Sequence, residues 1–197
     1  MFIVFEGPHG CGKTTQARLL QSRFDDIGVS SVYTKEPYDS DLKTMIEKCL
    51  ARESRDAGYL LLLLHAADRY IHTEFIVSML ELGKVVICDR YLLSSCVYQQ
   101  MQGVPLSFIE QVNSFCRRPD ITFQFRVPLS TRRERLAQGG RHRNNSFFSE
   151  RNLQAEEILY EELMPIYRER GWRVVSVDGN DERDKVASRI ASAVSDS

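Results

Sequence analysis

Residues Gly7 to Thr14 read Gly-Pro-His-Gly-Cys-Gly-Lys-Thr and fill every fixed position of the pattern G-x-x-x-x-G-K-[S/T]. The flanks fit the pattern. Phe2 to Phe5 is a four-residue apolar run that stops at Glu6, and Thr14 to Phe24 places Ala17, Leu20 and Phe24 on one helical stripe. A strand that feeds a glycine-rich bend and then a helix lets backbone N–H groups curl around phosphate oxygens. The helix adds the positive end of its dipole. The candidate ATP-binding residues are therefore Gly7, Gly10, Cys11, Gly12, Lys13, Thr14 and Thr15. Lys13 is expected to reach the β/γ-phosphates and Thr14 to ligate Mg²⁺. With glycine near 7% of residues, the bare pattern arises by chance in roughly one chain in a hundred, and the flanking strand and helix lower that. The loop says nothing about what receives a phosphate.

The rest of the chain keeps the same alternation. Val29–Thr34, Lys84–Cys88, Ile121–Val127 and Trp172–Val177 are further β-rich runs, nearly continuous in apolar residues as strands buried on both faces require. Asp41–Leu50, Asp56–Leu82, Glu150–Arg170 and Glu182–Val194 have helical patterns. The expected fold is α/β, a three-layer sandwich around a five-stranded parallel sheet of the P-loop NTPase type. At 197 residues it forms a single domain, 1–197. Lys and Arg total 26 against 27 for Asp and Glu, which excludes a strongly basic nucleic-acid-polymer binder and an acidic disordered tail. The longest apolar run, Tyr59 to Leu64, is six residues, far short of the ~20 that span a bilayer, so no membrane is expected as a partner. The N-terminus lacks a secretory signal pattern. Five cysteines, an odd number with no C-x-x-C pair, read as reduced thiols and a cytoplasmic location. The four histidines have no metal-ligand spacing, so no zinc is expected.

Asp89 directly follows Lys84–Cys88. The carboxyl ends of parallel strands are where such sheets gather ligands, and a carboxylate there suits Mg²⁺ beside Thr14. Arg90 comes next and is a candidate clamp for a second phosphate.

Four segments together resemble the thymidylate kinases, a family of P-loop nucleoside monophosphate kinases. They are Phe5–Gln16 (FEGPHGCGKTTQ), Lys35–Pro37 (KEP), His65–Arg69 (HAADR) and Asp89–Gln99 (DRYLLSSCVYQ). The last is the most specific, following the family's DRYxxSxxAYQ, and the likeness runs from Met1 to about Arg170, weakly over 132–150. The resemblance implies transfer of the ATP γ-phosphate, with Mg²⁺, to a pyrimidine deoxynucleoside monophosphate, dTMP first. It implies acceptor contacts at His9, Lys35, Glu36, His65, Arg69, Arg90, Ser95 and Tyr98, metal support from Thr14 and Asp89, and a homodimer packed through long helices. Lys35 stands where the family has an arginine. His9 replaces a loop carboxylate that contacts the acceptor's sugar, and His65 replaces an aromatic ring that stacks on the base. Both changes fall on the acceptor side, which keeps another or a modified pyrimidine nucleotide open.

His65, Arg69 and His72 share one helical face. Arg69 is assigned to the pocket, His65 to either pocket or surface, and His72 to an ordinary wet surface. Arg132, Arg133, Arg135, Arg141 and Arg143, interrupted by Gly139 and Gly140, suit a mobile lid around 132–150. The loop carries Gly10 at its middle, so the family pattern places the catalytic arginine in the lid. Arg141 and Arg143 are the candidates, beside Lys13 and Arg90. Two other activities remain open: a deoxynucleoside kinase using Glu36 as a base, and a non-catalytic nucleotide-binding switch.

Overall fold

A computed structural model describes residues 1–51, 57–138 and 149–195. Five strands form one parallel sheet: β1 (Phe2–Glu6), β2 (Ser31–Lys35), β3 (Val85–Asp89), β4 (Ile121–Arg126) and β5 (Val174–Asp178). Their order is β2-β3-β1-β4-β5. The two central strands run in register from Phe2 opposite Val86 to Phe5 opposite Asp89. All five carboxyl ends therefore lie on one edge.

Helices cover both faces, and β1 shows why its sequence is apolar throughout. Phe2 and Val4 pack on one side with Leu62, Ile76, Leu93, Cys96, Tyr160 and Leu163. These come from α3 (Ala57–Glu81), α4 (Leu92–Met101) and α7 (Glu150–Glu169). Ile3 and Phe5 point the other way, onto Ala17 and Leu20 of α1 (Lys13–Asp26) and Val186 and Ile190 of α8 (Arg183–Ser195). With a core on each face, alternation of polar and apolar residues has no place. The three layers and the parallel sheet agree with the sequence reading.

Helix α2 (Ser40–Leu50) is capped by Asp39, whose side chain accepts from the Asp41 and Leu42 N–H groups. Three helices were not among the expected ones: α4, α5 (Leu106–Val112) and α6 (Leu129–Gln138). Helix α5 is only two turns long, and α6 is so rich in charge that no apolar stripe shows. Glu6 and Asp89 belong to their strands although both are acidic. Glu6 is fully buried and accepts hydrogen bonds from the Tyr91 and Ser94 N–H groups at 2.9 and 3.1 Å, which caps α4 from the neighbouring strand.

The crevice follows from this layering. The chain leaves β1 for α1 on one face and leaves β3 for α4 on the other, so the loops after these adjacent strands part and open a cleft between them.

Candidate active site

The phosphate loop is built by backbone geometry. Gly10 and Gly12 have φ of 77° and 98°, the left-handed region that side chains disfavour, and a Cβ on Gly10 would stand 2.9 Å from Leu136 Cγ. Gly12 is the N-cap of α1 and offers no side-chain cap, so the first N–H groups of the helix face the loop's hollow. The Lys13 ammonium lies back across the loop, donating to the Gly7 and Pro8 carbonyls at 2.7 and 2.8 Å. Gly7 and Cys11 are buried under the loop, whereas Gly10, Gly12, Lys13, Thr14 and Thr15 line the cleft.

Across from the loop, Asp89 accepts from the Thr14 hydroxyl and, at 3.3 Å, from the Tyr33 hydroxyl, both on Oδ2. Its other oxygen, Oδ1, is buried and has no hydrogen-bond partner among the described residues. A carboxylate oxygen held out of water with no donor is what a hard cation would satisfy, so Thr14 and Asp89 fit a Mg²⁺ site. Arg90 turns the chain with φ 73°, a strained value for a non-glycine residue, and its N–H donates to Phe5 O at 3.0 Å. Its guanidinium donates to the Tyr98 hydroxyl at 2.7 Å and to Ser94 Oγ at 3.3 Å.

The far end of the cleft is set by Arg69. Its guanidinium, 1% exposed, meets Glu36 through Nε at 2.9 Å and Nη2 at 2.6 Å. It also donates to Asn113 Oδ1 at 2.6 Å and Ser95 Oγ at 2.8 Å. Burial pushes the Glu36 carboxyl upward, but Arg69 and His72 outweigh it and hold the group below the usual carboxylate range. His65 lines the cleft beside Arg69. Burial, then the nearby Arg69 charge, lowers its imidazole to about 4, so it is neutral near pH 7. Lys35 is exposed at the rim.

His72 departs from the sequence reading. Expected on a wet surface, it is fully buried, 2.7 Å from Thr34 Oγ1 and 3.2 Å from Glu36 Oε1, with Tyr38 stacked on it at 4.5 Å. Asp68 is likewise buried, because its carboxylate accepts from the Tyr38 and Asp39 N–H groups at the start of α2. Both serve to fix the segment that carries Glu36. Of the arginine-rich run, Arg132 is fully buried on α6 and paired with Glu156. Arg141, Arg143 and the rest of 139–148 lie outside the described residues.

One cavity of about 1250 Å³ joins these parts. A single drug-sized ligand typically occupies ~300–1,000 Å³, so there is room for two nucleotides end to end. His9, Lys13, Thr14, Lys35, Glu36, His65, Arg69, Asp89, Arg90, Ser95 and Tyr98 all line it. The sequence pointed to those residues. It missed Asn113, Tyr33 and Glu156, which lie in no motif and reach the site only through the fold, and it gave Glu6, inside the Phe5–Gln16 segment, no role.

Comparison with known proteins follows the same lines. Residues 5–190 match the family model described as thymidylate kinase. A "Probable thymidylate kinase" of Pyrococcus horikoshii is 43% identical over 145 residues, 71% of each chain. Proteins with the same description from Methanocaldococcus jannaschii and Staphylothermus marinus are 40% and 37% identical. The first covers 69% of each chain, and the second covers 94% of this chain and 89% of its own.

Proposed function

The chain belongs to the thymidylate kinase family, and on that premise we propose how its cleft transfers the γ-phosphate of ATP to dTMP, giving dTDP and ADP. The observation that carries the assignment of sites is the pairing of two loops across adjacent strands. The phosphate loop ends β1 and Asp89-Arg90 ends β3, and both line the same cavity.

In this reading ATP lies on the backbone N–H groups of Gly10 to Thr15, and Lys13 swings from the Gly7 and Pro8 carbonyls onto the β/γ-phosphates. Thr14 and Asp89 would hold Mg²⁺, which would supply positive charge to the phosphates when bound. dTMP lies toward Arg69, its base against His65 and its phosphate on Arg90 with Lys35 at the rim. An oxygen of the dTMP phosphate attacks the γ-phosphorus in line as the bond to the β-phosphate oxygen breaks. That nucleophile is already ionised near neutral pH, so the protein positions and neutralises and supplies no general base. Glu36 could not serve as one, since its carboxylate is locked to Arg69. No helix of the described residues is long and apolar enough to cross a membrane. The free cysteines, four of them buried, support a reducing, cytoplasmic setting. The outer face of α3 supports a homodimer.

A coupled ADP-release assay with dTMP, dCMP, dUMP and thymidine tests this. Turnover is expected with dTMP, and Lys13→Ala should lower it by ~10³-fold or more. ATP binding without turnover of any acceptor, or an unimpaired Lys13→Ala enzyme, would refute it.

A further inference from the structure

The carboxylate at the end of β3 is gripped from two other elements, and one of the two grips lies in no motif. Asp89 is 3% exposed. Two residues before it, Ile87 packs into the core on the α1 side of the sheet, so strand alternation turns Asp89 to that side as well. Thr14 and Arg18 stand four residues apart on α1 and share a face. Thr14 donates its hydroxyl to Asp89 Oδ2. Arg18 lies over the ring of Tyr33, its guanidinium carbon 3.5 Å from the centroid, and donates to Gln21 Oε1 at 3.1 Å. Tyr33 is paired with Ile87 on the neighbouring strand β2, and its hydroxyl donates to the same Oδ2 at 3.3 Å. Helix α1 thus reaches Asp89 twice, directly through Thr14 and by way of the braced Tyr33 ring.

We propose that Tyr33 is a positioning residue for the nucleotide's cation. With Thr14 it occupies Asp89 Oδ2, and it thereby keeps Oδ1 for Mg²⁺. The inference rests on the reading of Thr14 and Asp89 as the Mg²⁺ site.

The two donors are unevenly divided over the carboxylate. The terminal torsion of an aspartate is broad and two-fold, so either oxygen could take either donor. One donor on each oxygen would leave a cation to compete with both. Here both fall on Oδ2, while Oδ1 is buried without a partner among the described residues. Leaving a buried carboxylate oxygen bare is unfavourable, and the arrangement suits a ligand that brings positive charge. Thr14 alone would let the carboxylate rock about a single contact. A second donor from a separate strand removes that motion before the nucleotide arrives. A phenol fits the task, since it has one hydrogen to give and keeps it near neutral pH. Were Tyr33 there only to pack on α1, phenylalanine would serve as well.

Tyr33→Phe keeps the ring beneath Arg18 and removes only the hydroxyl. Calorimetric titration with the β,γ-imido analogue of ATP, which is not turned over, reads binding once in Mg²⁺ and once in EDTA. Mg²⁺ should tighten binding to wild type. Tyr33→Phe should match wild type in EDTA and bind about fivefold more weakly in Mg²⁺, the scale of one hydrogen bond. In the ADP-release assay with dTMP, the free Mg²⁺ that gives half-maximal rate should rise by the same factor, with the KM for dTMP unchanged. In an Asp89→Ala background, Tyr33→Phe should have no further effect on the analogue's binding in Mg²⁺. Undiminished tightening by Mg²⁺ in Tyr33→Phe overturns the proposal. Equal weakening in Mg²⁺ and in EDTA, or a further loss in the Asp89→Ala background, overturns it too, since the hydroxyl would then act through something other than Asp89 and its cation. Wild type that binds the analogue no better in Mg²⁺ than in EDTA would sink the metal-site reading and the inference with it, whereas a loss of tightening confined to wild type's comparison with Tyr33→Phe upholds both.

Discussion

Two imidazoles in this cleft are held neutral, and that has a thermodynamic price. His9 and His65 both drop from about 6.5 to about 4 on folding. Between those values the unfolded chain binds protons that the folded chain refuses, so stability falls as pH drops from 6.5 toward 4. Each excess proton is worth ~1.4 kcal/mol per pH unit. The urea midpoint is therefore expected to fall between pH 7 and pH 5. In His65→Phe one of the two contributions is gone, and the decline should be shallower. Parallel profiles for the two proteins would show that His65 titrates normally in the fold.

At the scale of elements, Arg69 is a junction. It ties α3 to Glu36 after β2, to Ser95 on α4 and to Asn113 after α5. Arg69→Ala would leave Glu36 as an uncompensated buried charge, a loss of ~3–5 kcal/mol. Urea unfolding should show that loss together with a raised KM for dTMP, and a protein as stable as wild type would mean Glu36 has another cation. The sequence disclosed Arg69 because the helix and its HAADR segment were both legible. It could not disclose the bidentate Glu36 partner, 33 residues away in the loop after β2. His72 shows the same limit. Helical spacing placed it correctly beside Arg69, but the depth of that face depends on Tyr38 and Thr34 folding over it. Glu156 was hidden most completely, because one acidic residue among several on an amphipathic helix carries no local signal. The strands were legible because double-sided burial writes itself into composition, whereas α6 was not, since its one buried arginine looks like every other arginine in the run.

For the whole molecule, α3 faces two ways. Leu61, Leu62 and Ile76 are buried within the protein, yet Tyr59, Leu63 and Tyr70, at i, i+4 and i+11, are each about half exposed on the other side. An apolar stripe of that length on the longest helix suits a second copy of the chain. Leu63→Glu is expected to convert a dimer to monomers in sedimentation equilibrium, and a wild-type monomer would rule out this face as the contact.

The hydrogen-bond ladder between β1 and β3 sets Phe5 opposite Asp89, and with it the separation of the phosphate loop from Asp89-Arg90. That separation is a property of peptide groups, indifferent to which side chains hang beyond it. The reach of the phosphoryl jump is thus inherited with the sheet, while the recognition surface past Arg90 can be rewritten one residue at a time. The same register would hold whatever side chains stood at positions 9 and 65, both of which line the cleft.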